Sequence, residues 1–233
     1  MKLTQNHIQE LYKFTRKHYV EYYDVQTELV DHLANDIEKI WEEYPNLSFE
    51  DARDKSFKKF GVFGFMNVVD TKKVQMNKKY FKIILKFAKE WFRLPKIILT
   101  FGLFFGFYQL QKISNAYEVH IAVLFGVFIT QLIVFSINIK KQKKHNIKTN
   151  KKWLLDSIIK TQGFGSGGLI AFYTVQFILP KSPVGFYQMD DFRSFLIAFV
   201  MSFLIIISYI SCVVIPKKAT QLLEETYPEY KLV

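Results

Sequence analysis

The sequence FLIAFVMSFLIIISYISCVVI, residues 195–215, contains no acidic or basic side chain. Its length approaches the roughly 20 apolar residues that a helix needs to cross the hydrocarbon core of a bilayer. Every backbone polar group inside hydrocarbon must bond internally, so such a run predicts a helix rather than a strand. Three further runs share this character. The sequence therefore predicts four membrane spans, at residues 94–113, 119–139, 163–179 and 195–215, within a membrane domain of residues 94–216.

The charges between these runs predict the orientation of the spans. The connection between the second and third spans carries seven lysines before the first acid, whereas the other two connections contain few cations. Cationic connections stay on the cytoplasmic side of the membrane. Lysines also precede the first span and open the tail of residues 217–233, at Lys217 and Lys218. The pattern predicts a multi-pass membrane protein with both termini in the cytoplasm.

The overall composition supports a membrane protein over a nucleic-acid-binding one. The chain has 233 residues and a net charge of +11, and half of its residues are hydrophobic. Its lysines flank apolar segments, which favours anionic lipid headgroups as the partner of the positive charge and predicts no nucleic acid partner. The single cysteine, Cys212, excludes an internal disulfide and a cysteine-based zinc site.

The first 75 residues have the pattern of a small helical domain. In the second helix, apolar residues recur at three- and four-residue steps: Val25, Leu29, Leu33, Ile37, Ile40 and Tyr44. Thr4, Asp24 and Ser48 are candidate N-caps of three successive helices. Pro45 ends the second helix, and Gly61 ends the third. These signals predict an all-α chain in which a three- to four-helix cytoplasmic domain, residues 1–75, precedes a four-helix membrane bundle.

Residues 76–93 form a basic amphipathic segment. One face consists of apolar side chains, Phe81, Ile84, Leu85, Ala88 and Phe92. The opposite face carries the candidate lipid headgroup contacts Lys82, Lys86, Lys89 and Arg93. Apolar area below and cations above are what a helix in the headgroup layer requires. The alternative is a helix that packs its apolar face on the rest of the domain.

The candidate chemistry of the chain is sparse. No span contains an acid or base in its interior, which argues against a proton-coupled transporter, an ion pump and an intramembrane protease. Acidic and polar residues cluster on the second helix, and we expect four of them to form a partner-binding surface: Glu28, Asp31, His32 and Asp36. His32 and Asp36 are also spaced for a metal pair, but a solvated helix surface explains them as well. We predict no catalytic, cofactor or metal site.

Several glycines in the spans have small-xxx-small spacing, which lets helix backbones approach closely in lipid. They are Gly102 with Gly106 in the first span and Gly163 with Gly167 in the third. We expect packing within one bundle, with homo-oligomer contact as the alternative. The segment Gly163–Gly168 also satisfies the G-x-G-x-x-G spacing, but a charged connection precedes it instead of a strand, which excludes a dinucleotide site.

Three stretches of the N-terminal domain carry a family resemblance: YDVQTELVDHLANDIE at residues 23–38, LSFEDA at 47–52 and FKKFG at 57–61. They resemble the HAAS-type helical domain, named for its association with PadR-type transcription regulators. The shared pattern is an acid-flanked Leu-x-Asp-His-Leu, a Ser-Glu-Ala-type helix start and a helix that ends in Phe-Gly. The resemblance covers roughly residues 5–70. It implies a bacterial inner-membrane protein whose soluble domain makes protein contacts without catalysis.

These features favour a non-enzymatic membrane protein, regulatory or accessory, whose N-terminal domain binds a protein partner. The main alternative is a subunit of a small-molecule transporter or permease complex, because four spans are few for a complete transporter. A membrane enzyme acting on lipid is a third alternative, for which His120, Asp190 and Asp191 are the only candidate groups on the outer side, without a recognisable spacing.

Overall fold

The computed structural model describes residues 2–93, 96–182 and 184–232, and within these ranges all side chains except those of 162–171, 187 and 232. Every regular element in these ranges is helical, which confirms the all-α prediction. The chain divides into two compact units, residues 1–79 with 146–157 and residues 80–145 with 158–232. The chain passes from one unit to the other within three helices.

The first unit is built on three helices and the beginning of a fourth: α1 (Gln5–Lys17), α2 (Tyr23–Glu43), α3 (Phe49–Lys58) and α4 (Met66–Trp91). The predicted caps at Thr4 and Ser48 are confirmed, because each side chain accepts a hydrogen bond from the backbone N–H three residues later. Each cap satisfies one of the N–H groups that the first turn of a helix leaves without a partner.

The core of the first unit follows the predicted stripe of α2. Leu29, Leu33 and Ile37 are fully or almost fully buried, and Leu11 of α1 and Ala52 of α3 are buried with them. Tyr44 is the exception to the stripe. It lies beyond the last residue of α2 and is 50% exposed, and the Lys55 ammonium lies 3.5 Å from the centre of its ring.

The first unit also includes the end of α6 (Ala116–Thr149) and the start of α7 (Leu154–Tyr173). The prediction of a loop between the second and third spans, residues 140–162, is therefore wrong for most of its length, because α6 continues to Thr149 and α7 begins at Leu154. No glycine or proline interrupts residues 127–162, and lysine is a good helix former. The helix consequently continues until Asn150, whose φ of +52° is left-handed.

The second unit contains the rest of α4, α6 and α7, and five further helices: α5 (Lys96–Leu110), α8 (Val184–Tyr187), α9 (Asp191–Tyr209), α10 (Ile215–Lys217) and α11 (Ala219–Thr226). Its core joins α5, α6 and α9 through buried residues that include Phe107, Leu124 and Met201. A π-helical segment, Ile210–Val214, ends two residues before Pro216. The proline lacks an N–H and crowds the carbonyl four residues earlier, so the wider turn accommodates it.

Two helices among the described residues are long and apolar enough to cross a membrane, Ala116–Thr149 and Asp191–Lys217. They contain the predicted spans 119–139 and 195–215. The helix at the first predicted span, α5, is shorter, with 15 residues. Leu94 at the start of that span lies outside the described residues, as do the side chains of residues 163–171 in the third predicted span.

Candidate functional site: surfaces of the first unit and the amphipathic helix

Two of the four predicted partner-binding residues of α2 make ion pairs within the first unit. The Glu28 carboxylate lies 2.7 Å from the Lys72 ammonium of α4, and the Asp36 carboxylate lies 2.7 Å from the Lys59 ammonium. Burial opposes the ionisation of Asp36, but the hydrogen bonds from Lys59 and Ser56 and the charges of Lys59 and His32 together outweigh it, so the pKa of Asp36 is lowered. These two carboxylates therefore tie α2 to its neighbours.

The other two predicted residues, Asp31 and His32, are exposed at consecutive positions of α2. The His32 ring lies 5.5 Å from the Phe60 ring, centre to centre. The alternative of a metal pair at His32 and Asp36 gains no support, because the Asp36 carboxylate is engaged by Lys59. Among the described residues no group of three His, Cys, Asp or Glu side chains is arranged to hold a metal ion.

An exposed apolar turn follows Phe60, the residue whose ring lies near the His32 ring. Val62 is 99% exposed and Phe63 is 71% exposed. They lie between Gly61 and Gly64, whose φ angles of +77° and +52° belong to the left-handed region that glycine adopts without strain. We call residues 61–64 the glycine turn. From the sequence, Gly61 was predicted only to end a helix. The apolar pair Val62 and Phe63 between two glycines could have indicated an exposed apolar turn.

The segment after α6, residues 151–154, docks on the start of α2, and we call it the docking segment. The backbone N–H of Tyr23 donates to the carbonyl of Lys152 at 2.7 Å. The backbone N–H of Leu154 donates to Oδ1 of Asp24 at 3.1 Å. The prediction that Asp24 caps α2 is therefore wrong, because α2 begins at Tyr23 without a side-chain cap. The Asp24 side chain instead accepts the hydrogen bond from Leu154, the first residue of α7.

Side chains reinforce this docking. Lys152 pairs with Glu21 at 2.5 Å, and the Lys151 ammonium lies 4.2 Å from the centre of the Tyr23 ring. Trp153 is fully buried, and its ring meets the Tyr23 ring edge to face at 5.2 Å. The hydrogen bond and charge of Lys152 lower the pKa of the Glu21 carboxyl. Sequence reasoning assigned these lysines to lipid headgroups, whereas Lys151 and Lys152 face the N-terminal helices.

The second half of α4 presents three faces instead of the predicted two. Ile84 is buried, together with Tyr80, Phe87 and Trp91, and this face packs inside the second unit. The other predicted apolar residues, Phe81, Leu85 and Phe92, are 58%, 44% and 48% exposed. The candidate lipid contacts are exposed beside them: Lys82, Lys86, Lys89 and Arg93. One face of this segment therefore packs as the alternative expected, and lipid contact by its exposed faces stays a prediction.

The glycines of the first span do not bring described helices together. No described atom outside the helix backbone lies within 4 Å of the position that a Cβ would take on Gly102 or on Gly106. Packing within the bundle therefore gains no support at these two positions. Gly163 and Gly167 lie outside the residues whose side-chain surroundings are described, so their role in packing stays a prediction.

Comparisons with family models, curated proteins and solved structures gave no match. The geometry above is therefore the basis for inferring function. It offers an acidic and apolar surface on the first unit, a docking segment that belongs to the same unit, and a half-exposed amphipathic helix in the second unit.

Proposed function

We propose that this chain is a non-enzymatic protein of the bacterial inner membrane, regulatory or accessory in role, whose N-terminal domain binds a protein partner and passes that event to the membrane helices. The observation that carries the proposal is the docking segment, because it is continuous with α6 and α7 and is held by α2. Partner binding that shifts the start of α2 would alter the hydrogen bonds from Tyr23 to Lys152 and from Leu154 to Asp24.

The proposed topology has four spans with both termini in the cytoplasm. Exposed apolar side chains on α5 support a lipid-facing position for this shorter helix: Ile98 is 68% exposed, Phe101 67% and Phe105 61%. Contiguous apolar exposure of this kind marks a membrane or protein interface. The 15 residues of α5 extend roughly 22 Å, so the span requires flanking residues or local thinning of the bilayer.

The proposed partner surface consists of Asp31, His32, Val62 and Phe63. An exposed aromatic side chain and an exposed acidic residue on the same unit suit a partner segment that combines an apolar pocket with a basic residue. The resemblance of residues 23–61 to HAAS-type domains supports the same role, because that family implies protein contacts for the soluble domain. Glu28 and Asp36 are left out of this surface, since their carboxylates pair with Lys72 and Lys59.

The proposed amphipathic contact involves the exposed strip of Phe81, Leu85 and Phe92 and the cations beside it. Aromatic side chains at the boundary of the acyl chains, with lysine and arginine at the headgroups, are typical of helices that lie in the interface. Lipid headgroups are therefore proposed as partners of Lys82, Lys86, Lys89 and Arg93.

A site-specific crosslinking experiment tests the partner surface. A photoreactive amino acid replaces Phe63 in the full-length protein in bacterial cells, and Val74, which is 53% exposed on α4, is the matched control position. We expect one protein to crosslink at position 63 and not at position 74, and Asp31→Lys to reduce its yield at least severalfold. Equal crosslinking at both positions, or none at position 63, would contradict the partner surface.

Cysteine labelling tests the topology separately. In a Cys212→Ser background, single cysteines replace Asn150, Ser182 and Thr220, and intact cells are treated with a membrane-impermeant maleimide. We expect labelling at position 182 only, because the connection after α7 is the only one of the three labelled segments that lies outside in the proposed topology. Labelling at position 150 or 220 in intact cells would contradict it.

A further inference from the structure

The first unit contains a cleft that none of the proposed roles uses. It consists of two adjoining cavities of about 360 Å³ and 390 Å³. Arg16, Tyr23 and Lys151 line both cavities, so the two lie next to each other. Each volume is within the range of sites for organic molecules and larger than a bare ion needs.

The lining of this cleft is strongly cationic. The cations among its described lining residues are Lys13 and Arg16 on α1 and Lys151 and Lys152 on the docking segment. Glu21 is the only acid in the lining, and its carboxylate already pairs with Lys152. Within the described part of the chain, no carboxylate forms an ion pair with Lys13, Arg16 or Lys151. Three cations that converge without a counter-charge favour an anionic ligand.

The geometry of these groups indicates which kind of anion fits the cleft. The Nε of Arg16 donates to the carbonyl of Tyr12 at 3.2 Å, which holds the guanidinium against α1. A planar guanidinium fork matches phosphate oxygens, and ammonium groups complement it as point charges. The rings of Tyr12 and Tyr23, nearly parallel with centres 6.1 Å apart, add aromatic lining to the same cavity. Aromatic walls beside phosphate-binding cations suit a phosphate with an organic body.

We propose that this cleft binds an organic phosphate, with the phosphate group between Arg16 of α1 and Lys151 of the docking segment. Because these two residues come from segments far apart in the sequence, the bound phosphate would bridge them and hold the docking segment on α1 and α2. The site thus offers a way for a small anion to stabilise the docked state. It requires neither the protein partner nor the membrane topology proposed above.

Calorimetric titration of the full-length protein in neutral maltoside micelles tests this site. The probes are AMP, inorganic phosphate, uncharged adenosine and dihexanoyl-phosphatidylglycerol below its micelle concentration. The variants are Arg16→Gln and Lys151→Gln. Lys17→Gln is the matched control, because Lys17 is an exposed cation next to Arg16 that does not line the cleft. Thermal unfolding of each variant confirms that it is folded.

We expect saturable binding of one phosphate-bearing probe, no binding of adenosine, and affinity about tenfold weaker in Arg16→Gln and in Lys151→Gln, since each removes a charge-assisted hydrogen bond. The affinity of Lys17→Gln should stay within about twofold of the unmodified protein. Binding of AMP in preference to the lipid would identify a soluble ligand, and the reverse would identify a lipid headgroup. If neither AMP nor the lipid saturates, if inorganic phosphate binds as tightly as both, or if Lys17→Gln weakens binding as much as Arg16→Gln, the proposal is overturned.

Discussion

Oδ1 of Asp24 accepts a hydrogen bond from the backbone N–H of Leu154 at 3.1 Å, across 130 residues of sequence. Leu154 is the first residue of α7, where four backbone N–H groups lack partners inside the helix and the helix dipole favours negative charge. A carboxylate of the N-terminal domain thus satisfies the beginning of a helix that enters the second unit. The start of α7 and the start of α2 are consequently linked by one side chain.

Removal of this cap should loosen the docking segment. We expect Asp24→Ala to destabilise the protein by about 1 kcal/mol, the usual cost of losing a helix N-cap. Hydrogen exchange measured by mass spectrometry should accelerate in residues 150–158 while the middle of α2 keeps its protection. Asp31→Ala on the same helix is the control, because Asp31 is exposed. Unchanged exchange at residues 150–158 in Asp24→Ala would show that Asp24 does not hold α7.

The Glu21–Lys152 pair should make the docking pH-dependent. Lys152 lowers the pKa of Glu21 in the folded protein below its ordinary value of 4.5. The stabilisation is therefore fully present above pH 4.5 and is lost as the pH falls through the lowered pKa. Glu21 is largely exposed, so the effect is small.

Thermal unfolding against pH measures this effect. We expect Glu21→Gln to unfold at a lower temperature than the unmodified protein at about pH 6, and the difference to vanish at about pH 3. Glu10→Gln, at an exposed position of α1, is the control and should show no such convergence. A difference for Glu21→Gln that stays constant down to about pH 3 would exclude the pair as its origin.

The local features of the first unit could be predicted from the sequence, and the long-range ones could not. Periodicity identified the buried face of α2, including Leu29, Leu33 and Ile37, because helical spacing is a property of adjacent turns. The caps at Thr4 and Ser48 depend on residues three positions away. Asp24 has the same cap chemistry, but its donor comes from Leu154, and nothing near Asp24 in the sequence indicates that contact.

The candidate surfaces also divide into local features that the sequence predicts and long-range features that it does not. The exposed cations of α4 were predicted from spacing, yet spacing could not show that Ile84 turns inward while Phe81 and Leu85 stay exposed, because that depends on which neighbours cover the helix. The cleft at Arg16 and Lys151 was missed for the same reason. Its two sides are separated by more than a hundred residues, and each cation alone is an ordinary surface residue.

The exposed strip of α4 should lie at the lipid boundary when the protein is reconstituted in phosphatidylglycerol bilayers. Spin labels at Phe81 or Leu85, in a Cys212→Ser background, should be more accessible to oxygen than to a water-soluble nickel complex, because oxygen partitions into the acyl region. Labels at Lys82 or Lys86, one position further round the helix, are the matched controls and should show the reverse preference. The same preference at all four positions would contradict the interfacial helix.

Tyr19 should be a site of stored backbone strain. Its φ is +62°, and its side chain is 83% exposed between α1 and α2, so little packing compensates for the left-handed conformation. Such a conformation costs a non-glycine residue about 1–2 kcal/mol, and asparagine adopts it more readily. We expect Tyr19→Asn to raise the unfolding free energy by about 1 kcal/mol. The thermal midpoint of the full-length protein measures this, with Tyr44→Asn, exposed at negative φ, as the control.

The two glycines of the glycine turn should differ in their tolerance of a methyl group. Both have positive φ, so alanine at either position should cost about 1–2 kcal/mol of backbone strain. At Gly61 the added Cβ meets no described atom within 4 Å, whereas at Gly64 it would lie 2.9 Å from Cζ of Phe57. Phe57 cannot easily yield, because its ring packs against the rings of His18 at 4.5 Å and Phe65 at 4.8 Å.

We therefore expect Gly64→Ala to destabilise the protein clearly more than Gly61→Ala, by roughly 1–3 kcal/mol, the usual cost of overpacking. Thermal unfolding of the two variants side by side isolates the clash, since the strain is common to both. Phe57→Leu in the Gly64→Ala background should recover part of the difference by making room for the methyl group. Equal destabilisation by the two single variants would show that Phe57 does not constrain the turn that presents Val62 and Phe63.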